Sequence, residues 1–132
     1  MTSFSPPRAK PTRQRTSAAS PALSFHMRIM GDEIAVGPGK IALVEAIERT
    51  GSLTAAARSM DMSYRRAWLL LDELNRSLRK PAVLAARGGA GGGGSEVTDS
   101  GRRLVELYRR IEAVSAETNR VDIRSLMGLL AR

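Results

Sequence analysis

The sequence has no cysteine, one histidine and only five aromatic residues, namely two Phe, two Tyr and one Trp. Without cysteine there is no disulfide, no thiolate nucleophile and no cysteine metal site. With 4% aromatics, the core must come from Leu, Ile, Val, Ala and Met, which suits a helical domain better than a sandwich. His26 cannot assemble a metal site without help from carboxylates. It is read as a surface residue on a short strand beside Arg28. No Ser/His/Asp order is present, and Glu45, Glu48, Asp72 and Glu73 read as solvated helix charges. The run Gly88–Gly94 lacks the Lys-Ser/Thr of a nucleotide loop. Neither an enzyme nor a cofactor is expected. No apolar run approaches about 18 residues, and the start lacks the apolar stretch of a secretory signal. A cytoplasmic location is expected, with no membrane partner.

Positive charge is plentiful. Lys and Arg number 21 against 13 Asp and Glu in 132 residues, a net +8 with a pI near 11.2. Such a surplus draws polyanions, of which nucleic acid is the usual one. Residues 1–22 hold Arg8, Lys10, Arg13 and Arg15, no acid, and Pro6, Pro7, Pro11 and Pro21. This composition buries nothing and predicts a disordered basic arm. The folded domain is expected over 23–121, followed by a tail over 122–132.

Along that domain, Phe25, Met27 and Ile29 alternate with polar residues and predict a strand over Ser24–Met30. Gly37-Pro38-Gly39 breaks the chain. A helix follows over about 40–50, with Ile41, Val44 and Ile47 on one stripe and Leu43 beside it; Thr50-Gly51 ends it. Ser52 caps a second helix whose Leu53, Ala56 and Ala57 face inward. Met60-Asp61-Met62 makes a turn. Ser63 caps a third helix over about 64–79, with an apolar stripe of Ala67, Leu70, Leu71, Leu74 and Leu78. Trp68 is assigned to the core beside them. Val83–Arg87 and Ser95–Thr98 predict two strands joined by a glycine tip. Thr98 caps a last helix from Asp99, where Gly101 permits close packing.

Two short helices joined by a tight turn, the second opening on Ser63, Tyr64, Arg65 and Arg66, have the pattern of a helix-turn-helix. The fold class expected is mainly α with a small β-hairpin wing: a winged helix-turn-helix plus a long C-terminal helix. A major groove about 12 Å wide admits one helix, and an Arg on its first turn can fork onto guanine O6 and N7. Arg65 is assigned to bases and Arg66 to phosphate, with Ser63 and Tyr64 donating to either. Ser52 and Thr54 offer amides and hydroxyls to phosphate. In the wing, Gly89 and Gly91 let backbone approach the duplex, and Arg87 can flank a minor groove. Arg102 and Arg103 are candidates for further backbone contacts.

The run from Lys40 to Tyr108 resembles the N-terminal domain of ModE-type molybdate-responsive transcription regulators, winged-helix relatives of the LysR type. The resemblance rests on Gly51-Ser52-Leu53-Thr54-Ala55-Ala56-Ala57, Met62-Ser63-Tyr64-Arg65-Arg66-Ala67-Trp68, Asp72-Glu73-Leu74-Asn75, the glycine run 87–94 and Leu107-Tyr108. It implies a homodimer on a pseudo-palindromic operator in double-stranded DNA, repressing molybdate-uptake genes. It also implies dimerisation through the last helix, about 99–118, in agreement with a stripe of Leu104, Leu107, Tyr108, Ile111 and Val114, which is expected to serve packing within the subunit as well. The family carries a second, β-rich molybdate-binding region. The sequence stops at Arg132, which makes direct molybdate binding doubtful. Ala90 stands at a wing position that is often basic in relatives. An alternative reading is a dimerising adaptor that recruits a separate effector through Leu126, Met127, Leu129 and Leu130, with DNA contact secondary.

Overall fold

A computed structural model describes residues 23–86 and 94–130. The expected arm, residues 1–22, and the wing-tip positions Arg87, Gly89 and Gly91 lie outside the described residues. The chain opens with a small antiparallel hairpin, β1 (Ile29–Met30) and β2 (Ala35–Val36), with Ile29 opposite Val36. Three helices follow: α1 (Pro38–Thr50), α2 (Leu53–Ser59) and α3 (Tyr64–Ser77). A second antiparallel hairpin, β3 (Val83–Ala85) and β4 (Ser95–Val97), leads into α4 (Asp99–Thr118) and α5 (Arg120–Met127). This is the winged helix-turn-helix expected from the sequence, with β3–β4 as the wing. Among the described residues, no helix is long and apolar enough to cross a membrane.

The core follows the predicted stripes. Ile41, Leu43, Val44 and Ile47 of α1 meet Ala56 and Ala57 of α2 and Ala67 and Leu74 of α3, all buried. Val83 and Val97, paired across the wing, and Tyr108 of α4 close the cluster. Alanines on α2 leave no side-chain bulk between it and its neighbours, so three short helices share one small core.

Several expectations are corrected. The helix expected from about 40 begins at Pro38, because proline at the first helical position forfeits only an amide that has no intrahelical partner. The strand expected over Ser24–Met30 is reduced to Ile29–Met30, since β2 offers only two partners. Ile29 is exposed, while Phe25 and Met27 are half-buried. Glu45 is not a solvated charge: Arg109 Nε and Nη2 donate to its two carboxylate oxygens at 2.9 and 2.8 Å.

That contact belongs to a clasp joining the N-terminal segment, α1 and α4. The Tyr108 hydroxyl donates to the Met27 carbonyl at 2.6 Å. His26 Nδ1 lies 2.9 Å from Glu112 Oε2, and Arg109 Nη1 donates to Glu112 Oε1 at 2.7 Å. Burial alone would push the Glu112 carboxyl up. The hydrogen bonds from His26 and Arg109, with the Arg109 charge, outweigh it and hold the group below its ordinary value.

Two predictions follow from this packing. A Cβ at residue 101 would overlap the Ala82 carbonyl and lie 3.0 Å from Val97 Cγ1, whereas one at residue 39 meets nothing. In urea denaturation, Gly101→Ala will therefore lose about 1–3 kcal/mol, and Gly39→Ala will gain about 0.4–1 kcal/mol. The second concerns pH. Because the folded-state pKa of Glu112 is depressed, its stabilisation is complete above the ordinary value of 4.5 and is lost as pH falls through the lower folded value. Circular dichroism from neutral pH downwards will show Glu112→Gln less stable than the wild type at pH 7 and flatter in its acid response.

Candidate nucleic-acid interface

The turn between α2 and α3 is fixed by the main chain. Asp61 N donates to Arg58 O at 3.1 Å and Met62 N to Ala57 O at 3.0 Å. These are the paired bonds that end a helix on a left-handed residue, and Asp61, with φ 58°, takes the place glycine commonly fills. Ser52 Oγ accepts from Ala55 N, and Ser63 Oγ accepts from Arg66 N, each at 3.0 Å. Both serines thus act first as caps. Capping starts α3 at Tyr64, and Tyr64, Arg65 and Arg66 stand exposed on its first turn. Thr54 is exposed on the first turn of α2.

The wing is bound to this unit at its base. Asn75 near the end of α3 receives the Ala82 amide on Oδ1 at 2.8 Å and donates Nδ2 to the Val83 carbonyl at 3.1 Å. Ser95 N at the start of β4 donates to Gly51 O, in the turn between α1 and α2, at 2.9 Å. Thr98 Oγ1 donates to Pro81 O at 2.8 Å and accepts from Gly101 N at 3.0 Å. Asn75 was not among the expected site residues. Its signal in the sequence is weak: one amide on α3, a few residues before Pro81.

Charge separates along the molecule. The α4 arginines face acids of their own chain: Arg102 with Asp99 and Glu48, Arg103 and Arg110 with Glu106, and Arg109 with Glu45 and Glu112. The hydrogen bond to Asp99 is the chief reason the Arg102 guanidinium lies above its ordinary pKa. Around the helix-turn-helix, Arg58 and Arg66 have no acidic partner among the described residues. The expectation that Arg102 or Arg103 reaches a phosphate is weakened accordingly.

Two further expectations change. Trp68, assigned to the core, is 45% exposed. Residues of a helix are about 100° apart, so Trp68 lies a quarter-turn from the buried line through Ala67 and Leu74. Tyr108, on a stripe expected to serve both its own core and the dimer, is 2% exposed and faces its own core, where burial raises its hydroxyl pKa. Leu104 and Leu107 are half-buried, whereas Ile111 and Val114 are exposed.

The chain is similar to other proteins in sequence and in fold. The chain is 44% identical over 78 residues to the molybdenum transport protein ModE of Azotobacter vinelandii, covering 59% of this chain and 29% of that protein. It is 34% identical over 112 residues to the transcriptional regulator ModE of Yersinia pestis, covering 83% and 41%. The chain is a ModE homologue. It is also 45% identical over 78 residues to the molybdenum-pterin-binding protein MopB of Rhodobacter capsulatus, covering 59% and 29%. The chain thus spans well under half the length of these relatives. No family model matches it. In fold it is similar to the CbnR DBD–DNA complex, with a TM-score of 0.53 at 18% identity over 67% of this chain and 95% of that one.

Asn75 supplies the prediction here. Asn75→Ala leaves the Ala82 amide and the Val83 carbonyl without their side-chain partner, and will cost about 1–3 kcal/mol in urea denaturation. Amide exchange at Ala82 will accelerate more than exchange in the α1 core.

Proposed function

We propose that the chain is a dimeric, sequence-specific DNA-binding transcription regulator, a repressor of the molybdate-responsive kind, with α3 in the major groove and the wing on the backbone or minor groove. The observation that carries this reading is the capped start of α3. There Tyr64, Arg65 and Arg66 stand exposed, and Arg66 has no acidic partner among the described residues, while the α4 arginines are matched by acids. Arg65 addresses a guanine edge. Arg66 and the first turn of α2, with Ser52 and Thr54, address phosphates. Arg87, Gly89 and Gly91 are the wing residues proposed for the backbone.

The proposed dimer forms along α4, through Leu104, Leu107, Ile111 and Val114. A helix of 20 residues is about 30 Å long, enough to carry a self-complementary seam. Two α3 helices would then address half-sites roughly 34–36 Å apart. The homology to ModE proteins and the fold shared with a DNA-bound domain support the regulator reading. A second reading, an adaptor, draws on the exposed Val121, Leu126, Leu129 and Leu130 at the C-terminal end.

The test is a fluorescence-polarisation titration of the full chain against a duplex that it selects from a random pool, with a scrambled duplex as control. Arg65→Ala will lose about 1–3 kcal/mol on the selected duplex and blur preference at one base position. Equal wild-type affinity for both duplexes would contradict the regulator and leave the adaptor.

A further inference from the structure

Trp68 and Leu69 form an apolar step on the outer side of α3 that the core does not use. Their exposures are 45% and 38%, against a buried Ala67 and half-buried Leu70 and Leu71 around them. The Trp68 indole N–H has no hydrogen-bond partner among the described residues. Arg65 precedes Trp68 by three residues and Leu69 by four, so all three share one sector of the first two turns. Tyr64, 54% exposed, precedes Trp68 by four. An exposed Trp-Leu pair costs free energy in water. Arg65 and Arg66 stand on its N-terminal side, while Asp72 and Glu73, one turn further on, are engaged by Arg76 and Lys40. An apolar step with guanidinium groups on one side and neutralised acids on the other is complementary to a duplex groove. There the phosphates are anionic and the one apolar group on a base edge is the thymine C5-methyl.

We infer that Trp68, with Leu69 beside it, reads a thymine methyl in the major groove, next to the base edge reached by Arg65. This rests on the DNA-binding reading above and adds a base preference to it. The half-site would pair a guanine for Arg65 with a thymine one or two steps away. The guanidinium supplies the hydrogen bonds, and the indole and isobutyl groups exclude water from the methyl.

The experiment uses the full chain and the duplex it selects from a random pool, with each thymine replaced in turn by uracil, which removes only the methyl group. Wild type is expected to lose about fourfold in affinity at one thymine of each half-site, the equivalent of one buried methyl. The Trp68→Ala/Leu69→Ala variant is expected to bind the thymine and uracil versions alike, while keeping its preference at the Arg65 position. Trp68 is the sole tryptophan, so its emission reports the contact in the unaltered chain, independently of how the variant folds. It should change on saturation with the selected duplex. Several results would overturn the inference. One is a uracil penalty equal in wild type and variant, or absent from every position. Another is indole emission unmoved at saturation. An emission change on raising chain concentration without DNA would assign the step to a second copy. If the wild type selects no sequence at all, the DNA-binding reading falls first and this one with it.

Discussion

The position of the wing relative to α3 is set by a few hydrogen bonds at its base. Asn75 holds both the Ala82 amide and the Val83 carbonyl, Ser95 ties the returning strand to Gly51, and Thr98 closes the hairpin against Pro81. These polar ties act beside the core packing of Val83 and Val97. The core fixes where α1, α2 and α3 lie and seats the base of the hairpin; the polar ties fix the direction in which the hairpin leaves α3. Gly101 extends the same constraint to α4, because only a residue without Cβ lets that helix begin against the Ala82 carbonyl. The end of α3, the described base of the wing and the start of α4 are therefore tied together, as the proposed docking of two separated contacts on one duplex requires.

Electrostatics then distinguish the faces of that body. An arginine engaged by two carboxylates, as Arg109 is by Glu45 and Glu112, holds elements of its own fold together. Arg66, exposed at the capped start of α3, has no acidic partner among the described residues. The net positive charge of the sequence is informative only after this division, since much of the α4 charge is neutralised within the chain.

Most of the fold was legible because its signals are local. Ser52, Ser63 and Thr98 cap helices where their hydroxyls reach first-turn amides, and Gly51 ends α1 at φ 87°. The stripes of α1 and α3 gave the core. What was not legible depends on distant partners. The strand over Ser24–Met30 shrinks because β2 is short, and Met27 gives its carbonyl to Tyr108, 81 residues away. Glu45 meets Arg109 across 64 residues. Trp68 was misplaced for a different reason: adjacency to Ala67 in sequence is a quarter-turn of helix in space. Of the proposed site, the exposed trio Tyr64, Arg65 and Arg66 could be read in advance; Asn75 was visible only as part of a motif, and its role in holding the wing came from the geometry.

The central claim is that the α2–α3 face, backed by the wing, is where a duplex docks. A nitrogen-15 NMR titration of the full chain with a selected duplex tests it most directly. The account predicts that amide shifts concentrate at Thr54, at residues 63–69 and at the two strands of the wing. Shifts confined to α4 and α5, with the start of α3 unmoved at saturation, would contradict it.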